Sequence, residues 1–315
     1  MSEGRPRSYF QLIRFPLIFT VWSDVLLGYF LVSAESTVPY HWGGAAVMLG
    51  VTAFLFGGGM TLFDCFEYSA DIEHGRPRML PVGVMSLHGT FAVGVVLTLT
   101  AIGAATMTVP AAGLVSVLVA LLLLVFGSVT RGMPFLGSIN IALVRAANVV
   151  LGMAFAHRGG ALVPHMEYWG PVAAVFGVVF LVAEIASEEA HARRERLLRL
   201  TGAVIVLLAA FNVLLYVPKL STAKLTDCIA LSVFVLATIL RLGYLARRAV
   251  REMSAESIQK LAVAGLVGVI VLNANFIAFA GELMPTLGIL FLLVPTFLML
   301  RFFHMLYPGT RTAMD

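Results

Sequence analysis

Of 315 residues, 60% are hydrophobic and 12% are charged, about half the charged fraction of an ordinary soluble domain, and the mean hydropathy is +0.95. So little polar surface cannot clothe a water-soluble body of this length, and the soluble globular classes are excluded. The net charge of +4 is accounted for by where Lys and Arg fall relative to a bilayer, and gives no reason to invoke nucleic acid.

Ten apolar blocks follow one another, at roughly 9–33, 43–68, 86–107, 110–129, 138–156, 170–187, 199–218, 226–246, 257–280 and 285–306. Each is near the ~20 residues that carry a helix across a hydrocarbon core. None alternates apolar with polar at every second residue, as the strands of a membrane barrel do. The predicted fold class is therefore all-α, a polytopic transmembrane bundle of nine to ten helices formed as a single integral membrane domain over 1–315. The first block is long and followed by no convincing cleavage site, so it is expected to stay as an anchor. With the N-terminus inside, the outer loops hold only Arg158, Lys219 and Lys224, while the inner segments hold most other Lys and Arg. That bias places both termini on the cytoplasmic side, in what is expected to be a bacterial inner membrane. No inter-helix segment is long enough for a soluble domain. Cys65 and Cys228 are too few for a disulfide framework or a zinc site and read as packing residues.

Polar residues within the blocks carry the functional argument. Asp24 lies in the middle of the first block. An ionisable group there is a functional candidate by default, or half of an ion pair that keeps the bundle in register. The second block ends in GGGMTLFDCFEYSADIEHGRPRMLPVG, residues 57–83. Asp64, Glu67 and Asp71 are spaced three and four apart, which puts three carboxylates on one helical face. Such a face repels itself unless cations lie against it, and hard oxygen ligands suit Mg2+ shared with substrate phosphates. Gly57, Gly58 and Gly59 would let neighbouring helices, or a ligand, approach the backbone. Arg76 and Arg78 supply donors for phosphate oxygens. Arg131 ends the fourth block, as a topology charge or a diphosphate contact. Arg145 and Asn148 lie in the fifth, with Arg145 the obvious ion-pair partner of Asp24 and Asn148 a candidate for steering a ligand.

The sixth block ends in AEIASEEAHARRER, residues 183–196. Glu184, Glu188 and His191 share a face, with Arg193, Arg194 and Arg196 close behind. Two acid faces on one side of the membrane, each trailed by arginines, suggest a polyanion such as diphosphate bridged by metal. The echo between the second and sixth blocks hints at two similar helical halves. The competing reading, solvated helix ends plus positive-inside arginines, weighs more on the second cluster than on the first. Glu188 and His191 also have the Glu-x-x-His spacing of a carboxylate-bridged di-iron site, but the first cluster lacks a matching pair, since Ala70 follows Glu67 by three. Asn273 and Asn275 in the ninth block are expected to hydrogen-bond between helices.

At 57–83 the chain resembles the UbiA-type superfamily of intramembrane prenyltransferases. That family carries NDxxDxxxD followed by a loop ending RPxPxG or RPLPxG. Here Asp64 and Asp71 match, Glu67 replaces the middle Asp, Phe63 stands in the Asn position, and Arg78, Leu80, Pro81 and Gly83 match the loop, with Met79 where Pro is usual. Glu184 and Glu188 fall where the family has a second, Asp-rich motif. RAANVVLG, 145–152, resembles the family's fifth helix, and RFPLIFTVWSDVLLGYFL, 14–31, resembles the first helix of a divergent branch, the EboC-like proteins. The family usually has nine helices against ten blocks here.

The resemblance, which runs over roughly 10–285, implies a cavity opening to lipid with both acidic motifs at its cytoplasmic mouth. Mg2+ held by Asp64, Glu67, Asp71, Glu184 and Glu188 would bind the diphosphate of a polyprenyl donor. Arg76, Arg78, Arg131, Arg145, Asn148 and Asp24 would be candidate substrate contacts. The prenyl group would pass to a lipid-soluble acceptor. A relative that handles lipid or isoprenoid without catalysis is the alternative, motivated by the altered motifs.

Overall fold

The computed structural model describes residues 15–35, 42–73, 80, 83, 85–130, 133–157, 168–188, 193–216, 225–280 and 282–306, with backbone alone for 15–17, 35, 134, 212–216, 225–231 and 302–306. Among the described residues all regular structure is helical: α1 Phe15–Glu35, α2 Trp42–Phe66, α3 Tyr68–Glu73, α4 Leu87–Thr108, α5 Pro110–Val125 running into a π turn at Phe126–Thr130, α6 Pro134–Ala156, α7 Trp169–Ser187, α8 Arg194–Tyr216, α9 Leu225–Glu252, α10 Ala255–Ala280, α11 Leu283–Phe291 and α12 Leu293–Leu306. The fold class read from the sequence holds.

Nine of the ten apolar blocks appear as one long helix each, α3 riding on the end of the second. The tenth is split. Pro295 has no N–H to offer the carbonyl of Phe291, and the helix breaks there into α11 and α12. α8 and α9 begin or end several residues beyond their apolar blocks, because hydropathy marks only the apolar part of a helix and both carry arginine-rich termini. Among the described residues seven spans are long and apolar enough to cross a membrane, and α1 adds a shorter apolar stretch, Ile18–Ala34. α8 and α9 run partly through 212–231, where side chains are outside the described set.

α10 is the central helix, its apolar span the most buried of the seven, packed against α1, α7, α8, α9, α11 and α12. α4 and the α11–α12 pair lie on the rim, largely exposed. There Phe91, Val96, Leu99, Met107, Met284 and Phe291 face outward. A contiguous apolar rim of this kind is suited to hydrocarbon and not to water.

Small residues set how closely the helices cross. A Cβ on Gly28 of α1 would lie 1.9 Å from the Val149 carbonyl oxygen of α6, and one on Gly152 of α6 would lie 2.0 Å from the Val25 carbonyl oxygen of α1. The two backbones touch through this reciprocal pair, the small-residue packing by which membrane helices associate. Gly58 meets Gly94 and Thr98 of α4, and Gly59 meets Leu123 of α5. Of the two uses open to the triple glycine, these two positions serve helix packing.

Candidate functional site

The first acidic motif sits where α2 gives way to α3. The Glu67 N–H bonds the Phe63 carbonyl at 3.1 Å and the Asp71 N–H bonds the Glu67 carbonyl at 2.8 Å. Four-residue bonds thus continue across the turn, and the acids ride on consecutive helical turns, as their spacing predicts. Asp64 and Glu67 are half-buried, and Asp71 is 1% exposed. Phe63, in the position the resemblance assigns to Asn, is buried. It stacks on Phe126 of the π turn, ring centroids 5.9 Å apart, and a Cβ on Gly127 would come within 3.1 Å of its ring. This position therefore packs against α5. Beyond α3, Leu80 is buried with Met85 beside Cys65, Tyr68 and Leu87. The Gly83 N–H bonds the Leu80 carbonyl at 3.0 Å, and Gly83 has φ +76°, a conformation glycine adopts at little cost. Arg76, Arg78 and Arg131 lie outside the described residues.

Four antiparallel crossings, α4 to α7, separate the two acidic motifs, so both fall at the same end of the bundle. Glu184 and Glu188 are each 3% exposed. Arg196, at the start of α8, folds back across the α7–α8 turn and grips both: Nη2 donates to Glu184 Oε2 at 2.5 Å and Nη1 lies 2.9 Å from Glu188 Oε1. Glu188 Oε2 accepts the Arg193 N–H at 3.1 Å, and Glu184 Oε1 is buried with no hydrogen-bond partner among the described residues. His191 lies outside those residues. Among them, no group of three or more His, Cys, Asp or Glu side chains converges to hold a metal ion.

The mid-membrane candidates are joined to one another. The Arg145 guanidinium donates from Nε to Asp24 Oδ2, from Nη1 to Thr20 Oγ1 at 3.1 Å and from Nη2 to the Thr20 carbonyl at 2.8 Å. Asn273 Nδ2 donates to Asp24 Oδ1 at 2.8 Å and to Ser23 Oγ at 3.0 Å, and Asn148 Nδ2 donates to the Val21 carbonyl at 2.8 Å. All five side chains of this network, with Thr20, are buried. The network ties α1 to α6 and α10 at the level of the Gly28–Gly152 crossing. The ion pair foreseen between Asp24 and Arg145 is present, and Asn273 links helices as expected.

One residue that sequence reasoning placed only among trailing arginines proves central: Arg196. The signal for it is geometric. Twelve residues separate it from Glu184, a distance no single helix face connects but a helix–turn–helix does.

These features define a polytopic helical membrane bundle with two acidic motifs at one end and a polar lock inside. No family model matches the chain, and no curated protein matches it in sequence. Solved structures do share its fold. A UbiA homolog from Aeropyrum pernix K1 superposes with a TM-score of 0.60 at 16% identity, over 84% of this chain and 98% of that one. A digeranylgeranylglyceryl phosphate synthase superposes with a TM-score of 0.56 at 17% identity, over 87% and 98%. A UbiA homolog from Archaeoglobus fulgidus solved with GPP and Mg2+ gives 0.52 at 15% identity, over 87% and 98%. The chain has the UbiA-type intramembrane prenyltransferase fold.

Proposed function

We propose that this protein transfers a prenyl group from an isoprenoid diphosphate to a lipid-soluble acceptor within the membrane, binding the diphosphate at the end of the bundle that carries Asp64, Glu67 and Asp71. The observation that carries the reading is the acidic face across the α2–α3 turn. Its three carboxylates sit at the edge of an apolar bundle, and Asp71 is fully withdrawn from solvent. Acidic groups at the edge of a membrane bundle are functional candidates, and hard carboxylate oxygens are the donors Mg2+ takes. The fold supports the same reading, since a UbiA homolog from Archaeoglobus fulgidus that shares it was solved with DMAPP and Mg2+ and with GPP and Mg2+.

The hard oxygen donors of the first motif fit Mg2+, which takes one or two carboxylates and completes its shell with phosphate and water oxygens. Because the three do not converge on one point among the described residues, one or two of Asp64, Glu67 and Asp71 would hold it, and when bound it would neutralise charge growing on the departing diphosphate. Arg76 and Arg78, which follow the acids in sequence, would donate to the phosphate oxygens. The apolar interior would keep water from the electron-poor prenyl carbon. The reading further places both termini on the cytoplasmic side, following the Lys and Arg bias. The mid-membrane set Asp24, Arg145 and Asn148 acts, in this proposal, by holding α1, α6 and α10 in register.

The test is diphosphate release from labelled geranyl, farnesyl and geranylgeranyl diphosphates by the protein in nanodiscs, with and without Mg2+ and with lipid extract as acceptor. Metal-dependent release that Asp64→Ala abolishes is the expected result. Binding without cleavage would move the assignment to a lipid-handling protein, and no binding at all would overturn the donor reading.

A further inference from the structure

Glu184 and Glu188 occupy the place where a second divalent ion is expected, and their arrangement does not fit one. Three of their four carboxylate oxygens are already engaged. Arg196 takes Glu184 Oε2 and Glu188 Oε1 in a two-pronged grip at 2.5 and 2.9 Å, and a backbone N–H from Arg193 takes Glu188 Oε2 at 3.1 Å. The fourth, Glu184 Oε1, has no hydrogen-bond partner among the described residues. A divalent ion would have to displace a planar guanidinium that matches both carboxylates at once, a geometry Arg is suited to and Lys is not.

We propose that the second acidic motif of this chain holds Arg196 in place of a metal ion. Two buried carboxylates one helical turn apart require positive charge between them, and the guanidinium supplies it permanently. The inference deepens the reading above, because it concerns the second half of the same site. The Arg196 side chain is 42% exposed, so the guanidinium is fixed on its acid side and open on the other. That open side borders a concave surface that Arg193, Arg194 and the Glu195–Arg199 pair also line. A diphosphate bound here would meet the fixed Arg196 guanidinium where a two-metal site would present an ion.

The experiment counts divalent ions directly, with Mn2+ titrated into the full-length protein in nanodiscs and free Mn2+ read by electron paramagnetic resonance. Wild type and the Glu184→Gln/Glu188→Gln variant are expected to bind the same number of ions, and Arg196→Gln to bind one more. If the double Glu variant does not fold, the single variants carry the comparison, since each glutamine keeps an acceptor for Arg196. Loss of one bound ion on replacing either glutamate in the wild-type background would overturn the proposal. A wild type that takes up no Mn2+ would support it and overturn instead the metal role of Asp64, Glu67 and Asp71.

Discussion

Replacing Arg145 by Met tests whether the mid-membrane network is a lock or a ligand site. The change removes the donors to Asp24 and Thr20 and leaves the Asp24 carboxylate, wholly buried, with a single donor, Asn273 Nδ2 at 2.8 Å. Stranding one partner of a buried pair costs about 3–5 kcal/mol, and 3 kcal/mol is roughly a 150-fold change in the folding equilibrium. Asp24→Leu strands the guanidinium instead, and a similar loss is expected. The combined Asp24→Leu/Arg145→Met variant removes both charges and replaces them by apolar groups of comparable bulk, which is often nearly neutral. What remains lost is the bond from Asn273 to Asp24 and the two from Arg145 to Thr20, while Asn273 keeps Ser23 Oγ at 3.0 Å and the Thr20 carbonyl keeps the Ser23 hydroxyl at 2.6 Å; each such bond in a membrane protein is worth about 0.6 kcal/mol, so the three together come to about 2 kcal/mol. Reversible unfolding in mixed detergent–SDS micelles, followed by tryptophan fluorescence, reads all three variants. The double variant is expected to be more stable than either single one and to bind geranyl diphosphate as wild type does. A double variant as unstable as the two losses added together would refute the lock. So would a stable double variant that no longer binds the diphosphate, because the pair would then be facing a ligand.

Further outcomes follow from the packing. Gly28→Ala and Gly152→Ala each drive a Cβ to within about 2 Å of a carbonyl oxygen on the facing helix. Each is expected to cost about 3 kcal/mol or to yield no folded protein, whereas Gly103→Ala in α4, with open space around it, is expected to gain about 0.5–1 kcal/mol; thermal unfolding of the three together checks the contrast. Phe63→Asn, which restores the residue that the UbiA-type motif carries, removes a ring packed on Phe126 and Gly127. It is expected to lower stability by about 3 kcal/mol, read in the same unfolding assay. Met253 ends α9 at φ +48°, and Met253→Gly is expected to gain about 1 kcal/mol, seen as a higher unfolding midpoint.

What the sequence shows about this molecule divides along physical lines. The helices are legible because each must present an apolar surface long enough for a bilayer, and that requirement is written residue by residue. The 64–71 acid face is legible for the same reason: its spacing is local, and helical bonds carry it across the α2–α3 turn. Asp24 and Arg145 can be paired because so few charges stand inside the blocks that each has few candidates. The Gly28–Gly152 crossing is not legible, since glycines elsewhere, such as Gly50 and Gly103, meet nothing at all, and composition does not separate the two kinds. The grip of Arg196 on Glu184 and Glu188 is hidden for a different reason. It depends on how α8 packs against α7, and four arginines in the seven residues 193–199 look like topology charges until that packing is known.

The two acidic motifs consequently differ in kind, though they look alike in sequence. At the first, the carboxylates follow one another along nearly continuous helix, and only the Phe63 position has been given over to packing, closing one wall against the α5 π turn. At the second, the carboxylates close on a cation from their own chain. Glu184 and Glu188, one turn apart at the end of one helix, both reach the same guanidinium at the start of the next.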